Sequence, residues 1–199
     1  MRVTELVEHV PLEVLCRSRA WARAALLCAF MAAMMALAAQ VRIPLPFTPV
    51  PLTLQVFAAL LAAGLLGSRL GAASMAAYLL MGASGLPVFS GAKGGLAALF
   101  GPTGGYLVGF VICAFVVGWI LERGVRSRWG TLAACLLGVA LIHVPGWLWL
   151  GCWMGAGKSL AGAASAAFAA GVLPFIALDL VKALAASFLL RAALRSAPS

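Results

Sequence analysis

Apolar residues in this chain come in long runs interrupted by glycine, proline or arginine, and each run predicts a helix able to cross a bilayer. The runs cover residues 21–41, 52–66, 70–81, 104–121 and 131–150, and a last one covers 163–190. Gly171 and Pro174 split this last run into a short interfacial piece and a final crossing from about 172. Runs 52–66 and 70–81 are short for a full crossing, which implies a thin bundle or helices that extend into their flanks. Between runs one and two lies IPLPFTPVPLTLQ (43–55), whose four prolines forbid regular helix and predict a stiff extended loop at the membrane edge. Residues 83–105 are glycine-dense and form the longest interruption.

Composition closes the fold class. Of 199 residues 64% are hydrophobic and 10% charged, against about 45–50% and roughly 25% in a soluble domain, so most of the exterior must face lipid. At ~20 residues per span there is room for one helical bundle and no second soluble domain. The expectation is an all-α integral membrane protein: a cytoplasmic extension at 1–20, a compact bundle of six transmembrane helices at 21–191, and a cytoplasmic tail at 192–199. The net charge of +9 does not imply a nucleic-acid partner, because the cations sit at helix ends and not on one basic face.

Charge also orients the bundle. With both termini cytoplasmic, Arg2, Arg17, Arg19, Arg23, Arg69, Arg123, Arg126, Arg128, Arg191 and Arg195 lie inside. Only Arg42, Lys93 and Lys158 lie outside, as the positive-inside rule requires. Arg17, Arg19 and Arg23 before an apolar stretch resemble a cleavable signal, but the leader is long and carries Glu5, Glu8 and Glu13. Cleavage would also leave five spans with the termini on opposite sides.

Some residues are not explained by the membrane. Asp179 is the single acidic residue within the predicted spans, and Lys182 follows on the same helical face. Each ionised group near the bilayer centre costs about 2.5–3.5 kcal/mol, whereas a pair at this spacing returns ~0.2–0.5 kcal/mol in water, so the pair calls for polar surroundings. An interhelical lock is one explanation; a ligand-filled cavity is the one preferred here, since carboxylate and ammonium together offer acceptors and donors to one edge of a small molecule. The glycines of 83–105 permit close backbone approach and suit a cavity wall, although a bare outer loop has the same composition. Ala25, Ala29 and Ala33 form a small-residue stripe that fits either internal packing or a partner helix.

Other features carry no chemistry. Five scattered cysteines, with His9 and His143, show no metal spacing. The segment GCWMGAGKS (151–159) ends like a phosphate-binding loop but has Cys152 where the pattern needs glycine, and no strand precedes it. Trp147, Trp149 and Trp153 suit an interfacial aromatic belt.

Three segments, IPLPFTPVPLTLQ, GLPVFSGAKGGLAALFGPTGGYL and VLPFIALDLVK, resemble the BioY family, the biotin-specific substrate-binding components of energy-coupling factor (ECF) transporters, over about residues 22–191. The resemblance implies a six-helix bundle in the bacterial cytoplasmic membrane that captures biotin from the outer side. It implies no cofactor, and it implies as partners a transmembrane coupling subunit and two ATPase subunits. The family's Asp-x-x-Lys motif falls on Asp179 and Lys182, and its glycine-rich loop on 89–106. Substrate contacts are thereby expected at Phe89, Ser90, Gly91, Lys93, Gly95 and Tyr106, an outer gate at Pro46, Phe47 and Pro49, and docking at Ala25, Ala29 and Ala33.

In this reading Asp179 accepts the ureido N–H groups, Lys182 donates to the ureido oxygen, and Lys93 is the candidate for the distant carboxylate. The alternatives are a solitary or dimeric vitamin carrier and a component for another vitamin. An enzyme is disfavoured, because the spans supply one aspartate, one lysine and one histidine and no nucleophile–base arrangement. Replacing Ala25 and Ala29 with leucine should abolish co-purification with the coupling subunit while leaving biotin binding intact; normal co-purification would refute docking through the stripe.

Overall fold

The computed structural model describes residues 12–125 and 127–196; side chains 12–18 and 194–196 lie outside that description. So do Arg2, Arg126, the greater part of the expected extension and the end of the tail. The elements are α1 (Leu12–Gln40), β1 (Arg42–Ile43), β2 (Leu52–Thr53), α2 (Gln55–Ala83), α3 (Leu96–Leu99), α4 (Gly104–Glu122), α5 (Arg128–Met154), α6 (Leu160–Gly171) and α7 (Leu173–Ser196). Among the described residues, five stretches are long and apolar enough to span a membrane: 19–40, 55–83, 104–122, 128–154 and 173–193.

The second of these is a hairpin and not a rod. Gly67 takes φ 76° and ψ −174°, a region essentially reserved for glycine, and the chain reverses there. The ideal Cβ of Gly71 would sit 3.0 Å from the Ala62 carbonyl oxygen, and at the far end the Gln55 amide donates to the Tyr78 hydroxyl at 3.0 Å. The Glu122 carboxylate fixes the bend from α4, accepting the Ser68 N–H and O–H at 2.7 Å each. Those bonds satisfy a donor that the new helix start would otherwise leave open. Gly118, directly beneath, lets α4 touch the backbone of the bend.

Two expectations move. The second run begins its helix at Gln55 instead of 52, because Arg42 pairs with Thr53 and Ile43 with Leu52 in an antiparallel ladder that closes the proline loop. Helix one begins at Leu12, upstream of residue 21, so part of the expected extension continues the helix. The split of the last run holds, with α6 ending at Gly171 and α7 starting next to Pro174, a position where a missing N–H is harmless.

Glycines set the close approaches that frame the site. An ideal Cβ at Gly109 of α4 would lie 2.9 Å from the Ile142 Cα of α5, so the two backbones meet there. Gly146 and Gly171 leave room for the Tyr106 ring and hydroxyl. Tyr78, Met35, Leu60, Met75, Ile142, Leu150 and Leu190 form the fully buried centre, while Leu26, Leu80, Val181 and Phe188 are exposed, as lipid-facing residues should be. Gly67→Ala should cost about 1–3 kcal/mol, because alanine cannot adopt this conformation without strain and its Cβ would meet Glu122. A thermal midpoint in detergent equal to that of wild type would refute the hairpin geometry.

Candidate ligand-binding site

A cavity of about 520 Å³ opens beneath the proline loop and the glycine-rich segment, within the ~300–1,000 Å³ range of small-molecule sites. Its floor and walls come from distant parts of the chain. Val56, Leu107, Phe110, Ile142 and Phe175 supply apolar surface, and Thr53, Gln55, Ser90, His143, Asp179 and Lys182 the polar groups.

Asp179 on α7 is 2% exposed, and both of its oxygens are engaged. Lys182 Nζ, one turn along α7, donates to Oδ1 at 2.7 Å, and His143 Nε2 on α5 lies 2.8 Å from Oδ2. The lysine also donates to the Thr53 carbonyl oxygen at 2.7 Å, which ties α7 to β2. An ammonium carries three protons, so one remains for a ligand. Each carboxylate oxygen likewise retains acceptor capacity. Facing a carboxylate, Nε2 of His143 acts as a donor, and its Nδ1 is buried without a hydrogen-bond partner. Tyr106 packs edge-on against the imidazole, ring centres 5.9 Å apart, and anchors its own hydroxyl on the Gly171 carbonyl at 2.6 Å.

The ions thus lie in protein and cavity, not in lipid. An unpaired buried carboxylate would be expensive, and the two aligned partners, Lys182 and His143, are what make its burial tolerable. Nearer solvent, Arg42 and Lys93 line the cavity as exposed cations, and Asp179 is the single acidic residue among the lining groups. The surplus of positive charge suits an anionic ligand with a hydrogen-bonding head.

Of the expected contacts, Asp179, Lys182, Phe89, Ser90, Lys93 and Tyr106 line this one cavity. Gly91 and Gly95 do not; Gly91 lies against the Arg42 guanidinium, Gly95 donates its N–H to the Gly82 oxygen at 2.7 Å, and Gly94 takes the wall position. Pro49 lines the mouth, whereas Pro46 and Phe47 are not among the lining residues and are exposed, Phe47 at 64%. Ala25, Ala29 and Ala33 share an exposed face of α1 away from the cavity. Sequence reasoning misses Arg42, Gln55 and above all His143 as cavity residues, since it considers His143 only as a metal ligand or a catalytic group. The signal was present: a lone titratable group in an apolar run is the same anomaly that singles out Asp179.

The family model described as BioY family matches residues 9–199. A probable biotin transporter BioY of Pyrococcus horikoshii is 47% identical over 135 residues, covering 68% of this chain and 75% of that protein. The biotin transporter BioY of Thermotoga maritima is 40% identical over 147 residues, 74% of this chain and 82% of the relative. Among solved structures, the crystal structure of the S-component for biotin from an ECF-type ABC transporter superposes with a TM-score of 0.77 at 30% identity, covering 90% of this chain and 94% of that one. The chain belongs to the BioY family.

Proposed function

From this membership and from the chemistry of the cavity, we propose that the chain captures biotin from the outer side and passes it inward as the substrate-specific component of an ECF-type transporter in the bacterial cytoplasmic membrane. The observation that carries the reading is the Asp179 carboxylate held between Lys182 and His143 in the wall of a cavity of small-molecule size. A ureido ring presents N–H donors and a carbonyl acceptor within one small edge. Asp179 and Lys182 offer the complementary set, with the carboxylate already aimed by its two partners.

The apolar walls suit the fused rings and alkyl chain. Biotin's carboxylate belongs near the mouth, where Lys93 and Arg42 face the cavity. Outward access is supported by the position of that mouth, beneath the two segments that charge places on the outer side. Because α2 folds back at Gly67, the five apolar stretches make six crossings in this reading, and both termini come out cytoplasmic. The exposed small-residue face at Ala25, Ala29 and Ala33 is left free for the coupling subunit, and the ATPase subunits of such an assembly supply the energy.

Calorimetry with biotin tests this. Asp179→Asn keeps the side chain's shape and removes the charge that Lys182 and the ligand share, so affinity should fall by about 10–100-fold, the worth of a charge-assisted hydrogen bond or two. His143→Phe keeps the ring against Tyr106 and Phe175 but frees one carboxylate oxygen, and should cost about tenfold, one hydrogen bond to a charged group. An unchanged titration for Asp179→Asn would discard the assignment of the site.

A further inference from the structure

The wall formed by residues 88–94 is a tight turn. Phe89 and Lys93 exchange backbone hydrogen bonds, N–H to O at 2.9 Å and 3.3 Å, and Gly91 and Ala92 between them both have positive φ, 79° and 55°. Alanine rarely adopts such a conformation without an outside partner. The partner is Gln40, the last residue of α1. Its Oε1 accepts the Ala92 N–H at 3.1 Å, and its Nε2 lies 3.3 Å from the Val88 oxygen and 3.2 Å from the Phe89 oxygen, as well as 3.3 Å from the Ala36 oxygen of its own helix. From the other side the Arg42 guanidinium lies against Gly91, where an ideal Cβ would be 2.6 Å from Nη1.

Gln40 does not line the cavity, yet of the residues it bonds Phe89 does, and the same turn carries Ser90, Lys93 and Gly94 into the wall. The turn and the proline loop are the solvent-side covers of a cavity whose ion pair is deep. A ligand leaving outward passes them. The side chain of Gln40 is itself at the surface, so its amide contributes little to the packed core.

We infer that Gln40 is a positioning residue that latches the 88–93 turn over the cavity and so sets how slowly bound ligand escapes. The inference rests on the biotin reading of the same site. Opening the turn breaks the amide's bonds to Val88, Phe89 and Ala92, and only the closed turn keeps Ser90 and Lys93 in the wall. The signature is therefore kinetic: removing the amide speeds dissociation far more than it changes association.

The test uses the purified full chain in lipid nanodiscs, loaded with radiolabelled biotin and chased with unlabelled biotin. Gln40→Met keeps the side chain's length and removes the amide; its dissociation should be about tenfold faster or more, as expected for loss of several hydrogen bonds, with association within about threefold. Moles of biotin bound per mole of protein and the ligand-free thermal midpoint should match wild type, which a merely structural defect would not leave intact. Gln40→Glu keeps the acceptor for Ala92 and should fall between; it carries the test alone if Gln40→Met is not recovered folded. Dissociation within about twofold of wild type would overturn the latch, since that is less than one ordinary hydrogen bond is worth. Wild-type protein that retains no biotin would overturn the functional reading and the latch with it, whereas retention with equal rates in wild type and variant overturns the latch alone.

Discussion

A carboxylate removed from water inside a membrane protein is the constraint around which the rest is arranged. Asp179 is tolerable at its depth because Lys182 neutralises it and His143 donates to its second oxygen. Those bonds dictate neighbours on three elements: α7 must present residues 179 and 182 on one face, α5 must bring His143 across, and β2 must turn the Thr53 carbonyl toward the lysine. The proline loop is thereby tied to the final helix by a single ammonium. A site that needs all three segments to be complete is one that senses how they sit.

Close backbone approach makes the arrangement possible. Gly105 and Gly109 let α4 lie directly on α5 around Pro145 and Ile142, and Gly146 and Gly171 make space for Tyr106, whose ring then fixes the imidazole. Side chains at these glycines would separate the helices and pull His143 from the carboxylate. At the other end of α4 the same device recurs: Gly67 reverses α2, Gly118 admits α4, and Glu122 ties the bend. Ligand cluster and hairpin bend sit at opposite ends of one glycine-lined seam along α4.

How much of this is legible from residues alone depends on whether the signal is local. The apolar runs are, since lipid imposes them on consecutive positions, and the breaks at Gly67 and Gly171 announce themselves as glycine at the end of a run. Asp179 and Lys182 stand out because a membrane makes any charge conspicuous. His143 escapes a search for ligand spacing because its partner lies on another helix. The start of α2 at Gln55 depends on pairing across the proline loop, which run length does not encode. Gln40 is the hardest case: its partners are backbone atoms of Val88, Phe89 and Ala92, and no residue type in that turn advertises them.

The most direct measurement is an experimental structure of the protein with biotin bound. The ureido ring is expected within hydrogen-bond distance of both Asp179 and Lys182, with His143 still on the far carboxylate oxygen. Biotin seated elsewhere, with the Asp179–Lys182–His143 contacts unchanged and untouched by ligand, would contradict the assignment.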